Sequence, residues 1–505
     1  MPAKTLMIQG TASSVGKSIL VTALCRIFKQ DGLRVAPFKA QNMALNSFVT
    51  RDGGEMGRAQ VTQAEAAGIV PSVDMNPILL KPEADAKSQV IVRGKVSRSI
   101  SAGRYYRHTP RLLRVVEESL NRLRSDYDVV VIEGAGSPAE INLKAKEIVN
   151  MRVARMAQAP VLLCGDIDLG GVFASLVGTL ELLDEDERGY IKGFIINKFR
   201  GDLKLLQPAL KLLEKRTSRP VLGVVPYFRG ITIAQEDSVY LDERPESPDT
   251  ADLDIVIIHL PHISNYDDFD PLEEEGCRVR YVTHPAQMGK PNLIIIPGTK
   301  STVSDLLHLW RSGLAENVVQ QAGKGTPVIG ICGGYQILGR ALLDPEGVES
   351  GTDAALGLGL LDVATTFAPD KSTRQVRAQV AGTGGLLEGM AGQEVIGYEI
   401  HMGQTVAGDD TSGAFRIRET PQGEVDYFDG RLNAQGTVMG TYLHGLFHNH
   451  GFRRVLLNGL RRRYGLPEKW DSPVTEKEEQ YNRLADLVRH SLDMPAIYRI
   501  MERGI

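Results

Sequence analysis

Short apolar runs that alternate with longer helical patterns place the strongest constraint on the fold of this chain. The first runs read TLMIQG, YDVVVIEGAG, APVLLCGDID and KGFIINKF. They are apolar on both faces and are separated by amphipathic stretches, which is typical of parallel strands covered by helices on both sides. Residues 1–240 are therefore predicted to form a doubly wound α/β domain.

The same pattern begins again near residue 252 and predicts a second doubly wound parallel-sheet domain over 252–450. Its apolar runs read LDIVIIHLP, CRVRYVT, NLIIIPGT and TPVIGICGG. Between the two series, Leu241–Asp252 is rich in proline and acidic residues, as expected for an exposed connection. Residues 451–505 have a charged helical pattern and are expected to form a C-terminal helical extension.

The composition excludes several classes of protein. With 505 residues, 42% hydrophobic and 24% charged, the chain is long enough for two or three ordinary globular domains. The formal net charge is −4 and no basic run is interleaved with aromatic residues, so no nucleic acid partner is expected. The sequence has neither a signal peptide nor an apolar stretch of about 18 residues, which predicts a cytoplasmic protein without a membrane partner. The oligomeric state stays open.

The stretch GTASSVGKS has the elements of a phosphate-binding loop, but its two glycines are one residue further apart than in the usual motif. Glycines let backbone N–H groups converge on phosphate oxygens, the following helix start favours anions, a lysine neutralises charge and a hydroxyl binds Mg²⁺. The loop follows an apolar run and opens a helical pattern, so a site for ATP and Mg²⁺ is predicted. The residues expected to form this site are Gly10, Thr11, Gly16, Lys17 and Ser18.

Three further polar residues are candidates for the same site. Glu133 ends the apolar run VVVIE, where α/β sheets place ligands and where a carboxylate can hold Mg²⁺, although a turn can also satisfy it. Glu55 in GGEMGRAQ is a second Mg²⁺ candidate and suits a solvated helix position equally well. Asn197 ends the run FIIN, where its amide can read the adenine edge or simply cap a strand.

The stretch PVIGICGGYQILG predicts a nucleophile elbow at Cys332. Small neighbours permit a strained turn between strand and helix, and the helix start favours a thiolate. The N–H group of Gly333 is expected in an oxyanion hole, and Gly298 after NLIIIP is expected to supply the second donor or to form a turn. The other cysteines, Cys25, Cys164 and Cys277, lack this context and the C-x-x-C spacing of a metal site, and are predicted to lie in cores.

A thiol nucleophile needs a base, and His444 in GTYLHGLF is the predicted one. It follows an apolar run and is expected at a strand end that faces the elbow. Glu399 in VIGYEIHMG is a candidate for orienting the imidazole of His444, because Glu399 and His401 alternate onto one face of a strand. Ordinary structural hydrogen bonding of Glu399 is an equal alternative.

Two resemblances extend these predictions. The long phosphate loop and the turn EGAG resemble the dethiobiotin synthetase-like group of ATP-dependent, carboxylate-activating enzymes. The elbow and the later histidine resemble the class I glutamine amidotransferases, except that Gly445 and Leu446 stand where that class has Pro and Glu. The lack of this Glu resembles the cobyrinic and cobyric acid synthase branch. The chain also resembles that branch in the stretches FKAQNMALNS, LPHISNYDDFDPL, PGTKSTVSDL, GYEIHMG and YLHGLF.

The resemblance implies a dethiobiotin-synthetase-like domain followed by a glutamine amidotransferase-like domain. It also implies an ATP- and glutamine-dependent ligase that forms an acyl phosphate on a corrinoid carboxylate and replaces the phosphate with ammonia. The motifs favour the enzyme that amidates the b, d, e and g carboxylates of adenosylcobyrinic acid a,c-diamide in cobalamin biosynthesis. The a,c-diamide synthase is the alternative within the branch, and a non-catalytic nucleotide-binding regulator is the alternative from another class. The expected partners are the small molecules glutamine, ATP and a corrinoid.

Overall fold

The computed structural model describes residues 2–84, 87–101, 105, 108–228, 251–470 and 477–505. The predicted connection, Leu241–Asp252, lies outside the described residues up to position 250. The chain divides into two compact units that are each discontinuous in sequence. The first unit contains the described residues of Met1–Ala44, Met56–Glu236 and Thr475–Ile505, and the second contains those of Leu45–Glu55 and Asp237–Val474.

The strands before residue 251 are short and mostly belong to the first unit. Their bounds are β1 Lys4–Gly10, β2 Val35–Phe38, β3 Gln41–Met43, β4 Ser47–Val49, β5 Glu55–Gly57, β6 Ile78–Ala84, β7 Lys87–Val92, β8 Lys95–Ser101, β9 Val129–Glu133, β10 Val161–Asp166, β11 Ile191–Phe199 and β12 Val221–Pro226. The helices are α1 Lys17–Gln30, α2 Arg58–Ala67, α3 Thr109–Asp126, α4 Met151–Ala157, α5 Val172–Leu182, α6 Glu185–Arg188 and α7 Leu203–Thr217.

A parallel sheet forms the centre of the first unit. Within the described residues it has six strands in the order β12-β11-β10-β1-β9-β2. Every residue of β9 and β10 is buried, because helices cover both faces of a parallel sheet and leave no solvated side. The loop after β1, near the middle of the sheet, leads directly into α1. A smaller sheet has the order β3-β6-β7-β8, and β4 pairs with β5.

The strands after residue 251 form one large mixed sheet. Their bounds are β13 Asp254–Ile258, β14 Arg278–Val282, β15 Leu293–Ile296, β16 Val328–Ile331, β17 Ala341–Leu343, β18 Ala354–Leu356, β19 Val363–Val380, β20 Glu394–Ala407, β21 Thr411–Thr420, β22 Gly423–Asn433, β23 Val438–Thr441 and β24 Leu443–His444. The helices are α8 Asp270–Glu274, α9 Thr302–Ser312, α10 Leu314–Gly323, α11 Gly333–Leu338, α12 His450–Arg463, α13 Lys477–Ser491 and α14 Met494–Arg503.

This second sheet has a parallel part and a mostly antiparallel part. The parallel part has the order β14-β13-β15-β16-β23, and the antiparallel strands β19 to β22 continue the sheet beyond β23. The predicted pair of parallel-sheet α/β domains is confirmed, with this antiparallel part as an addition. The long strands β21 and β22 mix buried residues with exposed ones, unlike the fully buried β9 and β10.

The C-terminal residues are divided between the two units. Helix α12 belongs to the second unit, whereas α13 and α14 belong to the first. Leu484, Val488 and Ile497 lie in the same buried core as Leu20 and Ile27 of α1. Amphipathic helices such as these must bury their apolar faces, and α13 and α14 bury theirs in the first unit. In the described part of the chain no helix combines the length and the apolar character needed to cross a membrane.

Candidate active sites

The phosphate loop lies between β1 and α1 and has a strained backbone. Gly16 has a φ of +99° and Ser14 a φ of +56°, both in the left-handed region. A Cβ on Gly16 would lie 2.1 Å from Nδ2 of Asn197, so only glycine fits there. The Lys17 ammonium donates to the carbonyl oxygen of Ala12 at 2.8 Å, which folds its side chain over the loop.

Asn197 and Thr11 make further hydrogen bonds that shape the loop. Asn197 Nδ2 donates to the carbonyl oxygen of Val15 at 2.8 Å, so the residue fastens the loop. Asn197 is buried, and its Oδ1 has no hydrogen-bond partner among the described residues. The main-chain N–H of Thr11 donates to Cys164 at 2.9 Å, so Thr11 can contact a phosphate only through its hydroxyl. A buried amide oxygen without a donor is costly unless a ligand supplies one.

Glu133 is fully buried at the end of β9 and is surrounded by donors. Its Oε1 accepts from Ser18 Oγ at 2.8 Å and Lys39 Nζ at 2.9 Å. Its Oε2 accepts from Gln63 Nε2 at 2.5 Å and Gln60 Nε2 at 3.4 Å. Burial alone would raise the pKa of Glu133, but the Lys39 charge and these hydrogen bonds lower it below its usual value. The group is therefore a carboxylate beside the phosphate loop.

The serine hydroxyl and the carboxylate fit a Mg²⁺ ion. Both are oxygen ligands of the kind that Mg²⁺ prefers, and they meet within 2.8 Å at the start of α1. The sequence predicts Ser18 and Glu133 but not Lys39, whose position follows from the sheet, because β2 lies next to β9. Carboxyl ends of neighbouring parallel strands meet at one edge, and this rule could have identified Lys39.

Glu55 does not occupy the solvated helix position that the sequence also allowed. It begins strand β5, belongs to the second unit and is 1% exposed. Its Oε1 accepts from Ser47 Oγ at 2.9 Å, and its Oε2 pairs with Lys371 Nζ at 2.5 Å. A buried carboxylate needs such partners, because an unpaired charge in the interior is strongly unfavourable. Glu55 thus stabilises local structure through Ser47 and Lys371, and its role as a Mg²⁺ ligand stays a prediction.

Cys332 sits in the strained turn that follows β16. Its φ is +53°, which is rare for a residue with a side chain and is typical of a nucleophile elbow. A Cβ on Gly334 would lie 2.0 Å from the carbonyl oxygen of Ile296, so glycine allows the close approach of α11 to β15. Cys332 is 8% exposed, and its Sγ lies 3.4 Å from the carbonyl oxygen of Ile400.

His444 is held between Cys332 and a carboxylate that the sequence prediction missed. Its Nδ1 lies 2.7 Å from Oδ2 of Asp268, and the N–H of Gly445 donates to Oδ1 at 2.8 Å. Burial disfavours the imidazolium, yet the charge of Asp268 and hydrogen bonds with Asp268 and Cys332 raise the pKa of His444 to about 10. The arrangement is a buried Cys-His-Asp triad.

Glu399 does not orient His444, which corrects the prediction. Glu399 Oε2 pairs with Arg374 Nε at 2.8 Å and accepts from Tyr427 OH at 2.9 Å. In the register of β20 with β24, Tyr398 and not Glu399 lies opposite His444. Directly opposed residues share a face of a sheet and neighbours alternate, so Glu399 points to the other face.

The two predicted oxyanion glycines lie on segments that adjoin each other. A Cβ on Gly298 would lie 3.1 Å from Cε1 of His444. A Cβ on Gly333 would lie 2.7 Å from Cγ2 and 3.1 Å from the N atom of Thr299, the residue after Gly298. The structure therefore brings Gly298, Gly333 and His444 together around the elbow. Both glycines are needed for the close approach of these segments.

A phosphate loop with a buried acidic cluster on one α/β sheet, and a Cys-His-Asp site on another, define a glutamine-dependent amide ligase. Residues 6–239 match the family model of the CobQ/CobB/MinD/ParA nucleotide binding domain, and residues 254–452 match that of the CobB/CobQ-like glutamine amidotransferase domain. The chain belongs to the cobyric acid synthase family, as its similarity to curated relatives shows. This confirms the resemblance seen in the sequence.

The relatives match over the whole chain. A cobyric acid synthase of Dehalococcoides mccartyi is 61% identical over 503 residues, which cover 100% of this chain and 99% of the relative. Those of Sorangium cellulosum and Pelotomaculum thermopropionicum are 54% and 53% identical, and each alignment covers 99% of this chain and 99% and 97% of the relative. A solved structure of a glutamine amidotransferase aligns with this chain at 16% sequence identity and a TM-score of 0.30. The alignment covers 41% of this chain and 98% of that one.

Proposed function

We propose that the chain amidates the b, d, e and g side-chain carboxylates of adenosylcobyrinic acid a,c-diamide, with ATP and glutamine as cosubstrates. The observation that carries the proposal is the pairing of Cys332, His444 and Asp268 with a phosphate loop in one chain of this family. A glutaminase supplies ammonia and an ATP site activates a carboxylate. Together they make an amide.

The glutaminase half uses the triad around Cys332. His444 holds the proton while Cys332 Sγ attacks the side-chain amide carbon of glutamine, and the N–H groups of Gly333 and of the Gly298 segment stabilise the oxyanion. When the carbon–nitrogen bond breaks, His444 gives its proton to the leaving ammonia and a thioester remains. Water then hydrolyses the thioester to glutamate. Asp268 fixes the imidazole and stabilises its cationic form.

The synthetase half uses the phosphate loop and the Glu133 cluster. A corrinoid carboxylate attacks the γ-phosphorus of ATP, ADP leaves, and ammonia then displaces phosphate from the acyl phosphate. Lys17 is placed to neutralise charge on the transferred group. Ser18 and Glu133 would hold Mg²⁺, which neutralises phosphate charge when bound. The unpartnered Oδ1 of Asn197 suits the amino group of adenine, which supports ATP as the nucleotide.

The reaction is assigned to the cytoplasm, with small molecules as partners and without a nucleic acid or membrane partner. ATP and glutamine are cytoplasmic metabolites. The described cysteines are all free and buried, as expected for a protein in a reducing compartment.

Mass spectrometry of the products tests this assignment. The full chain is incubated with adenosylcobyrinic acid a,c-diamide, ATP, Mg²⁺ and glutamine, and we expect amides at the b, d, e and g positions. No amidation of the diamide, together with amidation at only the a and c positions in a parallel incubation with cobyrinic acid, would assign the chain to the a,c-diamide synthases. Nucleotide binding without any amide product would favour a regulator.

Replacement of Lys17 by alanine tests the ATP loop. We expect Lys17→Ala to lower ammonia-dependent amidation and the coupled release of ADP at least about 100-fold, because the charge on the transferred phosphoryl group loses its cation. Glutamine hydrolysis should continue at a reduced rate. Lys204→Ala, on the exposed face of α7, is the matched control and should behave as wild type. ADP release by Lys17→Ala at the wild-type rate would contradict the assignment.

A further inference from the structure

Residues 45–55, called hairpin 45–55 below, connect the two units through the chain itself. The preceding strand β3 and the following helix α2 belong to the first unit, yet Leu45–Glu55 belongs to the second. Its tip closes on itself, because the N–H of Thr50 donates to Gly54 at 2.8 Å and that of Gly53 donates to Thr50 at 2.9 Å. The chain thus leaves the first unit at residue 45 and returns at residue 56.

Both ends of hairpin 45–55 continue into residues that bind Glu133. Lys39 lies shortly before the hairpin and donates to Glu133 at 2.9 Å. Gln60 and Gln63 lie on α2 shortly after it and donate to the other carboxylate oxygen. A ligand that engages Glu133 and Lys39 must replace some of these hydrogen bonds, so it acts on both flanks of the hairpin.

Within the second unit, hairpin 45–55 is fastened along its length. The carbonyl oxygen of Val49 accepts from Gln375 Nε2 at 2.9 Å, and Glu55 pairs with Lys371 at 2.5 Å. Val49 is fully buried beside Tyr398. These contacts make the hairpin part of the same packed body as β19 and β20.

The backbone of Ser47 binds Asn265 and Tyr398, which neighbour Asp268 and His444. Asn265 forms a pair of hydrogen bonds with it, donating from Nδ2 to the carbonyl oxygen at 3.0 Å and accepting the N–H at 3.3 Å. Tyr398 OH donates to the same carbonyl oxygen at 3.3 Å and accepts from Asn265 at 2.9 Å. Next to it, Asn46 Oδ1 accepts from the N–H of Tyr266 at 3.2 Å.

Two routes lead from these contacts to His444. In the first, the carbonyl oxygen of Asn265 accepts the N–H of Asp268 at 3.1 Å and so fixes the turn that carries this carboxylate. In the second, the Tyr398 ring stacks on the imidazole, with ring centroids 5.3 Å apart and planes 18° apart. The position of Ser47 therefore sets both the carboxylate and the ring that hold the base.

We propose that hairpin 45–55 couples the two reactions, with Asn265 and Tyr398 as positioning residues that align His444 when the synthetase site is loaded. This inference rests on the proposed function of both sites. A shift of hairpin 45–55 of a fraction of an ångström is enough, because catalysis by a triad depends steeply on geometry. Ammonia is then released chiefly when a carboxylate is ready to receive it.

Glutamate formation by the full chain tests the coupling. It is measured with the synthetase site empty and with saturating ATP, Mg²⁺ and corrinoid diamide. In the wild type, loading should raise kcat for glutamine hydrolysis about tenfold or more and leave the KM for glutamine within about twofold. The double variant N46A/Y398F loses the hydrogen bonds of Asn46 with Tyr266 and of Tyr398 with Ser47, but it keeps an aromatic ring on His444. In this variant the ratio of loaded to empty kcat should fall below about threefold.

Three comparisons keep this test decisive. Tyr398→Phe alone should give an intermediate ratio, and Tyr281→Phe on the edge strand β14 is the matched control that should keep the wild-type ratio. Ammonia-dependent amidation near the wild-type rate shows that each variant is folded. The coupling alone would be overturned if both Tyr398 variants kept the wild-type ratio. It would also be overturned if the wild-type enzyme hydrolysed glutamine with the same kcat whether its synthetase site was loaded or empty. Absence of glutamine hydrolysis in every state would instead contradict the proposed function.

Discussion

Cys332→Ala should lower glutamine-dependent amidation at least about 10⁴-fold while amidation with free ammonia continues. The alanine removes the sulfur that forms the thioester, and a neighbouring oxyanion hole cannot replace a nucleophile. The synthetase half needs only ammonia and is expected to be untouched. The elbow tolerates the change, because the strained φ of +53° belongs to the backbone of Cys332 and a Cβ remains in place.

The measurement compares turnover with glutamine and with high free ammonia, with product amides counted by mass spectrometry. Cys277→Ala is the matched control, since it removes another buried thiol of the same unit. Burial raises the pKa of Cys277 to about 12, so that thiol stays protonated and has no nucleophilic role. The control should lose some stability and keep both activities. An equal loss of both activities in a folded Cys332→Ala enzyme would contradict two separate sites.

Much of the fold was predictable because parallel strands are buried on both faces. The runs VVVI and LIII are apolar throughout, and each proved to lie in a fully buried strand. The antiparallel part of the second sheet was not predicted. Strands β19 and β20 are long and mix polar with apolar residues, so they lack the continuous apolar run that identifies a buried strand.

The sequence predicts Lys17 from the phosphate-loop motif, and it predicts Glu133 and Cys332 because each ends or directly follows an apolar run. The structure gives each of the three a position that suits its proposed role. Lys39 and Asp268 were missed because their partners are distant in sequence. Such pairs depend on strand order and on loop packing, which no local pattern contains.

Hairpin 45–55 shows the same limit in another way. The stretch LNSFVTRDGGE has turn residues and a short apolar run, so its local shape could be predicted. Its membership of the second unit could not, since that depends on hydrogen bonds with Asn265 and Gln375. A domain boundary drawn along the sequence assigns this segment to the wrong unit, because compact units need not be continuous.

The second large effect is expected from Asp268→Asn, which should lower kcat for glutamine hydrolysis about 10³-fold. The amide keeps the size of the carboxylate but carries no charge, and its NH₂ group can donate to Nδ1 and so fix the wrong tautomer of His444. Ammonia-dependent amidation should stay within about twofold of wild type. Glu399→Gln is the matched control, because it makes the same chemical change in a carboxylate that pairs with Arg374 and lies away from His444. It should alter turnover less than about threefold.

The pH dependence separates this role from a merely structural one. Asp268 raises the pKa of His444 to about 10, so the wild-type imidazole keeps its proton through neutral and mildly alkaline pH. Without the negative charge, burial lowers that pKa, and the proton is lost as the pH rises through a lower value. The alkaline limb of kcat for glutamine hydrolysis should therefore move to lower pH in Asp268→Asn and stay in place in Glu399→Gln. If Glu399→Gln moved the limb and Asp268→Asn did not, Glu399 would be the orienting residue after all.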